Sequence, residues 1–181
     1  MDVQVYGNIC NGNALGGIMI SHYGRDVTVE NNMFLNSSRS QVYIMLGGQM
    51  SNISLNRNIF YYSADEADFV RINTVGNLDL AQVISSWDNN IYWNTSGHQI
   101  SFSGVPGEAV RRIMQQSQSI ELTFDKWKVL GYDTNTIIAD PKFAGSLEDN
   151  DYSLEDDSPA WQIGFTPICT EKIGLIGRDG L

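Results

Sequence analysis

One asparagine recurs in similar surroundings four times, and this repeat constrains the fold more than any other feature of the sequence. The repeated residues are Asn8, Asn32, Asn58 and Asn90, at spacings of 24 (8 to 32), 26 (32 to 58) and 32 (58 to 90) residues. Pairs of alternating apolar residues precede the first three, namely Val3 and Val5, Val27 and Val29, and Ile53 and Leu55. In the fourth copy, Ser85 and Trp87 hold these places.

Two further apolar segments follow each repeated asparagine. The first begins directly after it, at Ile9, Met33, Ile59 and Ile91. The second comes about ten residues later, at Ile18 and Ile20, Val42 and Ile44, Val70 and Ile72, and Ile100 and Phe102. Such short alternating runs are typical of strands that bury one face, and none is long enough to be stable alone.

Stacking of the repeats would pair each strand with its counterpart in the next turn and bury a continuous core. The sequence therefore predicts an all-β fold, a right-handed parallel β-helix whose loops vary in length. An asparagine in each turn suits a bend, because asparagine tolerates left-handed backbone and its amide hydrogen-bonds locally. Stacked asparagines can also bond to one another along the axis of the stack.

The stretch SSWDNNIYWN, residues 85–94, combines one repeat with an unusual density of aromatic residues. We expect Ile91 and Trp87 to point into the core. Asp88, Tyr92 and Trp93 then have no evident structural duty, which makes them candidates for a functional surface.

The second half of the chain has a different pattern. Residues 1–103 are predicted to form the β-helix turns, 104–136 a helical insertion or lid, and 137–181 the last turn and an irregular C-terminal cap, all within one domain. Residues 104–118 show helical spacing, and Thr123 suits the N-cap of a short helix that ends before Gly131. Trp127 and Leu130 would form the buried face of that helix.

The charge balance excludes several partners. The net charge is −10, with 11 Lys and Arg against 21 Asp and Glu, so nucleic acid and anionic membranes are not expected partners. The sequence has no apolar run long enough to span a membrane and no signal peptide at its start.

Cys10 and Cys169 are predicted to be buried apolar residues rather than a disulfide, and neither has metal-ligand spacing.

The acidic run LEDNDYSLEDD, residues 147–157, has two interpretations. It is predicted to be a solvated loop, and a calcium site is the alternative because hard cations bind clustered carboxylates. The run lacks the glycine and the terminal glutamate of an EF-hand loop. We therefore predict no metal site and no cofactor, with calcium as the alternative.

Several phrases of the second half resemble a known family. NNIYWN (89–94), TFDKWKVLGYD (123–133), ADPKF (139–143) and DYSLEDDSPAWQIGF (151–165) occur in this order. They resemble the C-terminal part of secreted bacterial right-handed parallel β-helix proteins of the pectate-lyase-like superfamily, in particular its glycoside-hydrolase-like branch. The resemblance covers residues 50–181, and the earlier turns match by pattern only.

The resemblance implies a carbohydrate-active protein that acts on a poly- or oligosaccharide, outside the cell or in the periplasm. Relatives of this kind are usually longer, and the chain starts directly in a strand. We therefore expect that it is the C-terminal part of a longer protein, or that another chain covers its first turn.

Glycoside hydrolysis usually needs two carboxylates, about 5–5.5 Å apart for retention or about 6.5–9.5 Å for inversion. Adjacent turns of a β-helix lie about 4.7–4.9 Å apart, so carboxylates on neighbouring turns fall near these distances. The candidate catalytic residues are Asp88 together with one of Asp65, Glu66 and Asp68.

Aromatic residues near these carboxylates would stack on the apolar faces of sugars. Tyr62, Tyr92 and Trp93 are the predicted substrate-binding residues. His98, which follows in the same turn, is a further polar contact.

Two other interpretations stay open. A non-catalytic glycan-binding or structural β-helix would present aromatic residues without a carboxylate pair. A calcium-dependent polysaccharide lyase would use a basic residue, for which Arg71 is the candidate, but a polyuronate needs a positive groove, so we expect a neutral or weakly charged sugar.

Overall fold

The computed structural model describes residues 2–63, 68–74, 78, 80–104 and 122–170. Its strands form three sheets. The first contains β1 (Val3–Tyr6), β4 (Arg25–Glu30), β7 (Ser51–Asn56) and β10 (Ile84–Asp88). The second contains β2 (Ile9–Asn11), β5 (Met33–Leu35), β8 (Ile59–Tyr62), β11 (Ile91–Asn94) and β14 (Ile137–Ile138). The third contains β3 (Gly16–Ser21), β6 (Ser40–Leu46), β9 (Asp68–Thr74), β12 (Ser101–Gly104) and β13 (Leu122–Thr123).

Neighbouring strands in each sheet come from successive repeats. Val27 of β4, for example, lies opposite Val3 on one side and Ile53 on the other. Every pairing is parallel except that of β12 with β13, which is antiparallel. The mostly β structure and its three parallel sheets agree with the all-β prediction, and the arrangement is consistent with a parallel β-helix.

The interior between the sheets is apolar and includes a column of aromatic rings. Phe34 stacks on Phe60 with ring centroids 5.2 Å apart, and Phe60 meets Tyr92 edge-on at 5.6 Å. These residues occupy the same position on β5, β8 and β11, so the column follows from the in-register stacking of the repeats. Aromatic pairs of this kind contribute about 0.5–1.5 kcal/mol each beyond the area that they bury.

The repeated asparagines form a ladder of side-chain hydrogen bonds. The Nδ2 of Asn8 donates to Oδ1 of Asn32 (2.9 Å), Asn32 donates to Asn58 (3.0 Å), and Asn58 donates to Asn90 (3.2 Å). Each of these carbonyl oxygens also accepts the backbone N–H of the preceding asparagine in the ladder. The predicted bonding along the stack is therefore confirmed.

The left-handed backbone, however, lies one residue earlier than predicted. Positive φ angles occur at Gly7 (67°), Asn31 (57°), Arg57 (54°) and Asn89 (54°), directly before each ladder asparagine. The prediction that the repeated asparagine itself adopts this conformation is wrong. The preceding residue makes the bend, and the ladder asparagine is thereby free to direct its amide along the stack.

A buried carboxylate closes the ladder. Asn90 donates to Asp133 Oδ1 (3.4 Å), and Asp133 also accepts from Tyr92 Oη (2.6 Å) and Trp127 Nε1 (2.7 Å). The hydroxyl of Thr136 donates to the same carboxylate. Burial raises the pKa of Asp133 to about 6, because desolvation of the charge outweighs the hydrogen bonds that lower it.

Two short α-helices lie in the described part of the chain, α1 (Leu80–Val83) and α2 (Phe124–Val129). Helix α2 begins after Thr123, as predicted, although the Thr123 side chain makes no capping bond. Trp127 is fully buried and Leu130 packs against the core. The predicted helix at 104–118 lies outside the described residues beyond Gly104.

The segment from Ile137 to Ile168 covers the outer face of the second sheet. It contributes two 3₁₀ helices, Leu147–Asp149 and Pro159–Ile163, and a second apolar cluster. Ile91 belongs to this outer cluster, whereas Tyr92 lies in the interior. The prediction that Ile91 points inward is therefore wrong, because both faces of β11 are covered and alternation alone does not tell them apart.

Candidate functional site

Asp88 ends β10 and is held by local hydrogen bonds. Its carboxylate accepts from the backbone N–H of Asn135 (2.7 Å), the Asn135 side chain (2.7 Å), Thr134 Oγ1 (3.1 Å) and the backbone N–H of Asn89 (2.8 Å). These bonds lower the pKa of Asp88 even though partial burial raises it. These bonds tie the end of β10 to the 134–135 turn, and the catalytic role of Asp88 stays a prediction.

Of the other predicted carboxylates, Asp68 alone lies within the described residues. Asp68 begins β9 in the third sheet, whereas Asp88 belongs to the first sheet. The Asp68 carboxylate accepts from Ser103 Oγ and lies 3.6 Å from Nε of Arg71. Asp65 and Glu66 lie outside the described residues.

Two of the predicted sugar-stacking residues are core residues. Tyr62 and Tyr92 are each 0% exposed, so neither ring has a free face. This burial contradicts their predicted contact with a sugar. Tyr92 carries out a structural role instead, because it bonds to Asp133 and accepts from Trp87 Nε1 at 2.8 Å.

The remaining two predicted contacts, Trp93 and His98, line one cleft. This cleft has a volume of about 450 Å³ and lies between the end of β11, the 94–100 loop and the start of α2. Phe124 and Ile138 supply apolar walls, and Asp125 supplies a carboxylate. Its size and its largely apolar lining with a few polar groups suit a small-ligand site.

A second cleft lies beside Tyr61 of β8. It has a volume of about 710 Å³ and is formed by β8 and the 140–155 segment. Its charged lining residues are Asp140, Glu148, Glu155 and Lys142. The Tyr61 ring rests edge-on against Phe143, with centroids 5.3 Å apart. Burial, assisted by the charge of Asp140, raises the pKa of the Tyr61 hydroxyl.

The two clefts are linked through strand register. Trp93 lies directly opposite Tyr61 in the pairing of β11 with β8, so the two half-buried rings occupy neighbouring strands on the same face. We call this pair of rings, with the clefts on either side, the aromatic face. Neighbouring strands are about 4.8 Å apart, so one extended ligand can contact both rings.

Tyr61 is not among the site residues predicted from the sequence, although the repeat contains its signal. It stands three residues after Asn58, as Trp93 stands three residues after Asn90. Asp140 and Glu155 belong to phrases that were interpreted only as closing the β-helix. Nothing in the repeat indicates that these residues meet Tyr61.

The described residues contain no group of three or more His, Cys, Asp or Glu side chains that could hold a metal ion. The acidic run 147–157 uses some of its carboxylates locally, since Asp151 accepts from Ser153 and Asp157 pairs with Lys142. Cys10 and Cys169 are both free thiols, the first half-buried and the second exposed, so the prediction that Cys169 is buried is wrong. No helix of the described part of the chain has the length and apolar character needed to cross a membrane.

Comparison of the chain with protein-family models, with curated proteins and with solved structures finds no match in any of the three.

Proposed function

We propose that this chain is a carbohydrate-active, right-handed parallel β-helix of the pectate-lyase-like kind, which binds an oligosaccharide along the aromatic face. The observation that carries the proposal is the register of Trp93 with Tyr61, which puts two half-buried rings side by side between two clefts. Three parallel sheets and the asparagine ladder support the fold part of the proposal. An extracellular or periplasmic location follows from the same family proposal.

The two rings suit sugars because the axial C–H faces of a pyranose are apolar while its rim is polar. Stacking on an aromatic ring buries the apolar face, and polar groups at the edge bind the hydroxyls. His98 and Asp125 are such groups in the first cleft, and Asp140 and Glu155 in the second.

The charge of the clefts favours a neutral sugar. Four carboxylates line the two clefts, those of Asp125, Asp140, Glu148 and Glu155. Lys142, which also lines the second cleft, is already paired with Asp157. An acidic sugar would therefore meet like charge at this face, which costs affinity and slows association.

Glycoside hydrolysis is the second candidate function, and one observation favours it. Asp140 and Glu155 line the same cleft as Tyr61, so two carboxylates border a ring that can hold a sugar. One would protonate the leaving oxygen while the other activates water or attacks the anomeric carbon. This pair is an alternative to the predicted pairing of Asp88 with one of Asp65, Glu66 and Asp68.

The test is binding of the chain to a panel of neutral and acidic oligosaccharides, with Trp93→Ala and Tyr61→Ala as variants. Loss of one stacking ring should weaken binding about 5- to 30-fold, equivalent to about 1–2 kcal/mol. Tyr23→Ala is the matched control, because Tyr23 is 74% exposed and lines neither cleft. Equal affinity in all three variants would refute the proposal.

Hydrolysis is tested on the same panel by the release of reducing ends. Asp140→Asn and Glu155→Gln should each abolish release if these residues form the catalytic pair. Asp140→Asn keeps the acceptor for the backbone N–H of Lys142, which lies 2.8 Å from Asp140 Oδ1, so the local turn should persist. If the chain binds a glycan but releases no reducing ends, it is a glycan-binding module. If release of reducing ends survives both substitutions, Asp140 and Glu155 are not the catalytic pair.

A further inference from the structure

Two arginines meet in one cleft of the third sheet, although the chain as a whole is strongly acidic. Arg39 and Arg71 line a cleft of about 310 Å³ together with Leu15, Tyr43 and Asn73. The chain has only 11 Lys and Arg residues against 21 Asp and Glu. Two guanidinium groups in one small cleft are therefore a local feature of this surface, opposite in sign to the chain's net charge.

Strand register fixes one wall of the cleft. Tyr43 of β6 lies directly opposite Arg71 of β9, and Asn73 follows two residues later on the same face of β9. The Asn73 side chain donates to the Tyr43 hydroxyl, which holds the tyrosine ring beside the arginine. The cleft wall thus consists of a fixed ring, an amide and a guanidinium on adjacent strands.

The second arginine stands at the entrance to β6. The carbonyl of Arg39 accepts the backbone N–H of Asp68 at 3.2 Å, so its main chain is tied to the first residue of β9. Ser40, the next residue, is buried and its hydroxyl donates to the carbonyl of Leu15 at 3.2 Å. The base of the Arg39 side chain is therefore anchored, while the residue itself is exposed.

The acceptors among the described residues do not neutralise both arginines. Asp68 lies 3.6 Å from Nε of Arg71 and also accepts from Ser103. Within the described part of the chain, Arg39 forms no ion pair. Among the described residues, one carboxylate therefore stands against two guanidinium groups. The guanidinium fork matches the oxygens of carboxylates and sulfates.

We propose that this cleft binds the oxyanion group of a small ligand, a carboxylate or a sulfate ester, between Arg39 and Arg71. The Tyr43 ring and Leu15 provide apolar surface for the part of the ligand that carries the charge. The site lies on the third sheet and shares no residue with the aromatic face. Its occupation is therefore independent of the proposed function, and either proposal can fail alone.

The test is titration of the arginine Nε–H signals in nitrogen-15 NMR spectra with three probes: glucuronate, glucose 6-sulfate and glucose. We expect saturable shifts of the Arg39 and Arg71 signals with the charged probes and no shift with glucose. A response to glucuronate alone, to the sulfate ester alone or to both supports the site and identifies the group that it accepts.

Three variants make the test specific. Arg39→Gln and Arg71→Gln should each weaken binding about tenfold or more through loss of a charge-assisted hydrogen bond. Arg25→Gln is the control, because Arg25 is exposed and lies on the first sheet. Inorganic sulfate should displace the probes from the unmodified chain, which tests the site even if a variant fails to fold. Equal shifts with glucose, equal loss in Arg25→Gln or no saturation up to about 50 mM would overturn the proposal.

Discussion

The buried Asp133 carboxylate should give the protein an unusual dependence of stability on pH. Its pKa is about 6 in the folded state and 3.8 for an exposed aspartate, so the folded state binds the proton more tightly. Since the unfolded chain binds fewer protons between these values, the free energy of unfolding must fall as pH rises from about 4 to 6. The difference of about 2 pH units corresponds to about 3 kcal/mol.

The perturbation that isolates this effect is Asp133→Asn. The amide cannot ionise, so this part of the pH dependence should vanish. The new NH₂ group would face donors such as Trp127 Nε1, which lies 2.7 Å from Oδ2. We therefore expect the variant to be about 1–3 kcal/mol less stable than the unmodified chain near pH 4. Because the unmodified chain loses about 3 kcal/mol between pH 4 and 7, the variant should be equally stable or up to about 2 kcal/mol more stable at pH 7.

The assay is urea unfolding at intervals between pH 4 and 8, followed by tryptophan fluorescence. Other carboxylates contribute to the pH dependence of both proteins. Asp88, for instance, has a lowered pKa and stabilises the fold above the pKa of the unfolded state. The difference between the two curves reports Asp133 alone. A constant difference from pH 4 to 8 would refute the inference that desolvation dominates at this site.

Three further substitutions test the fold by thermal and urea unfolding. Asn58→Ala should cost about 3 kcal/mol or more, because it leaves buried ladder partners without their hydrogen bonds. Gly48→Ala should destabilise by about 2 kcal/mol or more, since Gly48 has φ of 62° and an added Cβ would lie 2.2 Å from the carbonyl oxygen of His22. Asp88→Ala should cost about 1–3 kcal/mol by releasing Asn135, and the loss should shrink on acidification as the carboxylate of the unmodified chain becomes protonated.

Two of these substitutions, Asn58→Ala and Gly48→Ala, have matched controls. Asn52→Ala removes an exposed amide that bonds to Asp26 outside the ladder, and it should cost less than half as much as Asn58→Ala. Gly97→Ala adds a Cβ at φ of 77° with no atom within 4 Å, so its cost reports backbone strain without the clash. Similar losses within either pair would contradict the structural reason given.

The repeat could be recognised from sequence because each turn pairs with an equivalent turn. Asparagine amides must find donors and acceptors when buried, and the equivalent residue of the next turn is the one always in reach. Position 136 continues the series, because Ile137 pairs with Ile91 and Thr136 accepts from the backbone N–H of Asn90. The change from asparagine to threonine hides this step of the ladder in the sequence.

The candidate surface is harder to predict from the sequence for a physical reason. Both faces of β11 are covered, one by the core and the other by the C-terminal segment, so apolar and aromatic residues occupy alternate positions without separating inside from outside. The pattern therefore predicts Tyr92 at the surface and Ile91 in the interior. In the structure, Tyr92 lies in the interior and Ile91 in the outer cluster. The role of Asp133 is equally hidden in the sequence, because its partners Asn90 and Tyr92 lie more than 40 residues earlier in the chain.

The most direct test of oligosaccharide binding along the aromatic face uses the indole N–H signals of the four tryptophans. Trp87, Trp127 and Trp161 donate to Tyr92, Asp133 and the carbonyl of Glu155, respectively, whereas Trp93 lines the first cleft. Titration with a neutral oligosaccharide of the panel should shift the Trp93 signal saturably and leave those of Trp87 and Trp127 in place. Two results would contradict the account: a glycan that binds without shifting the Trp93 signal, or a panel in which no oligosaccharide shifts that signal.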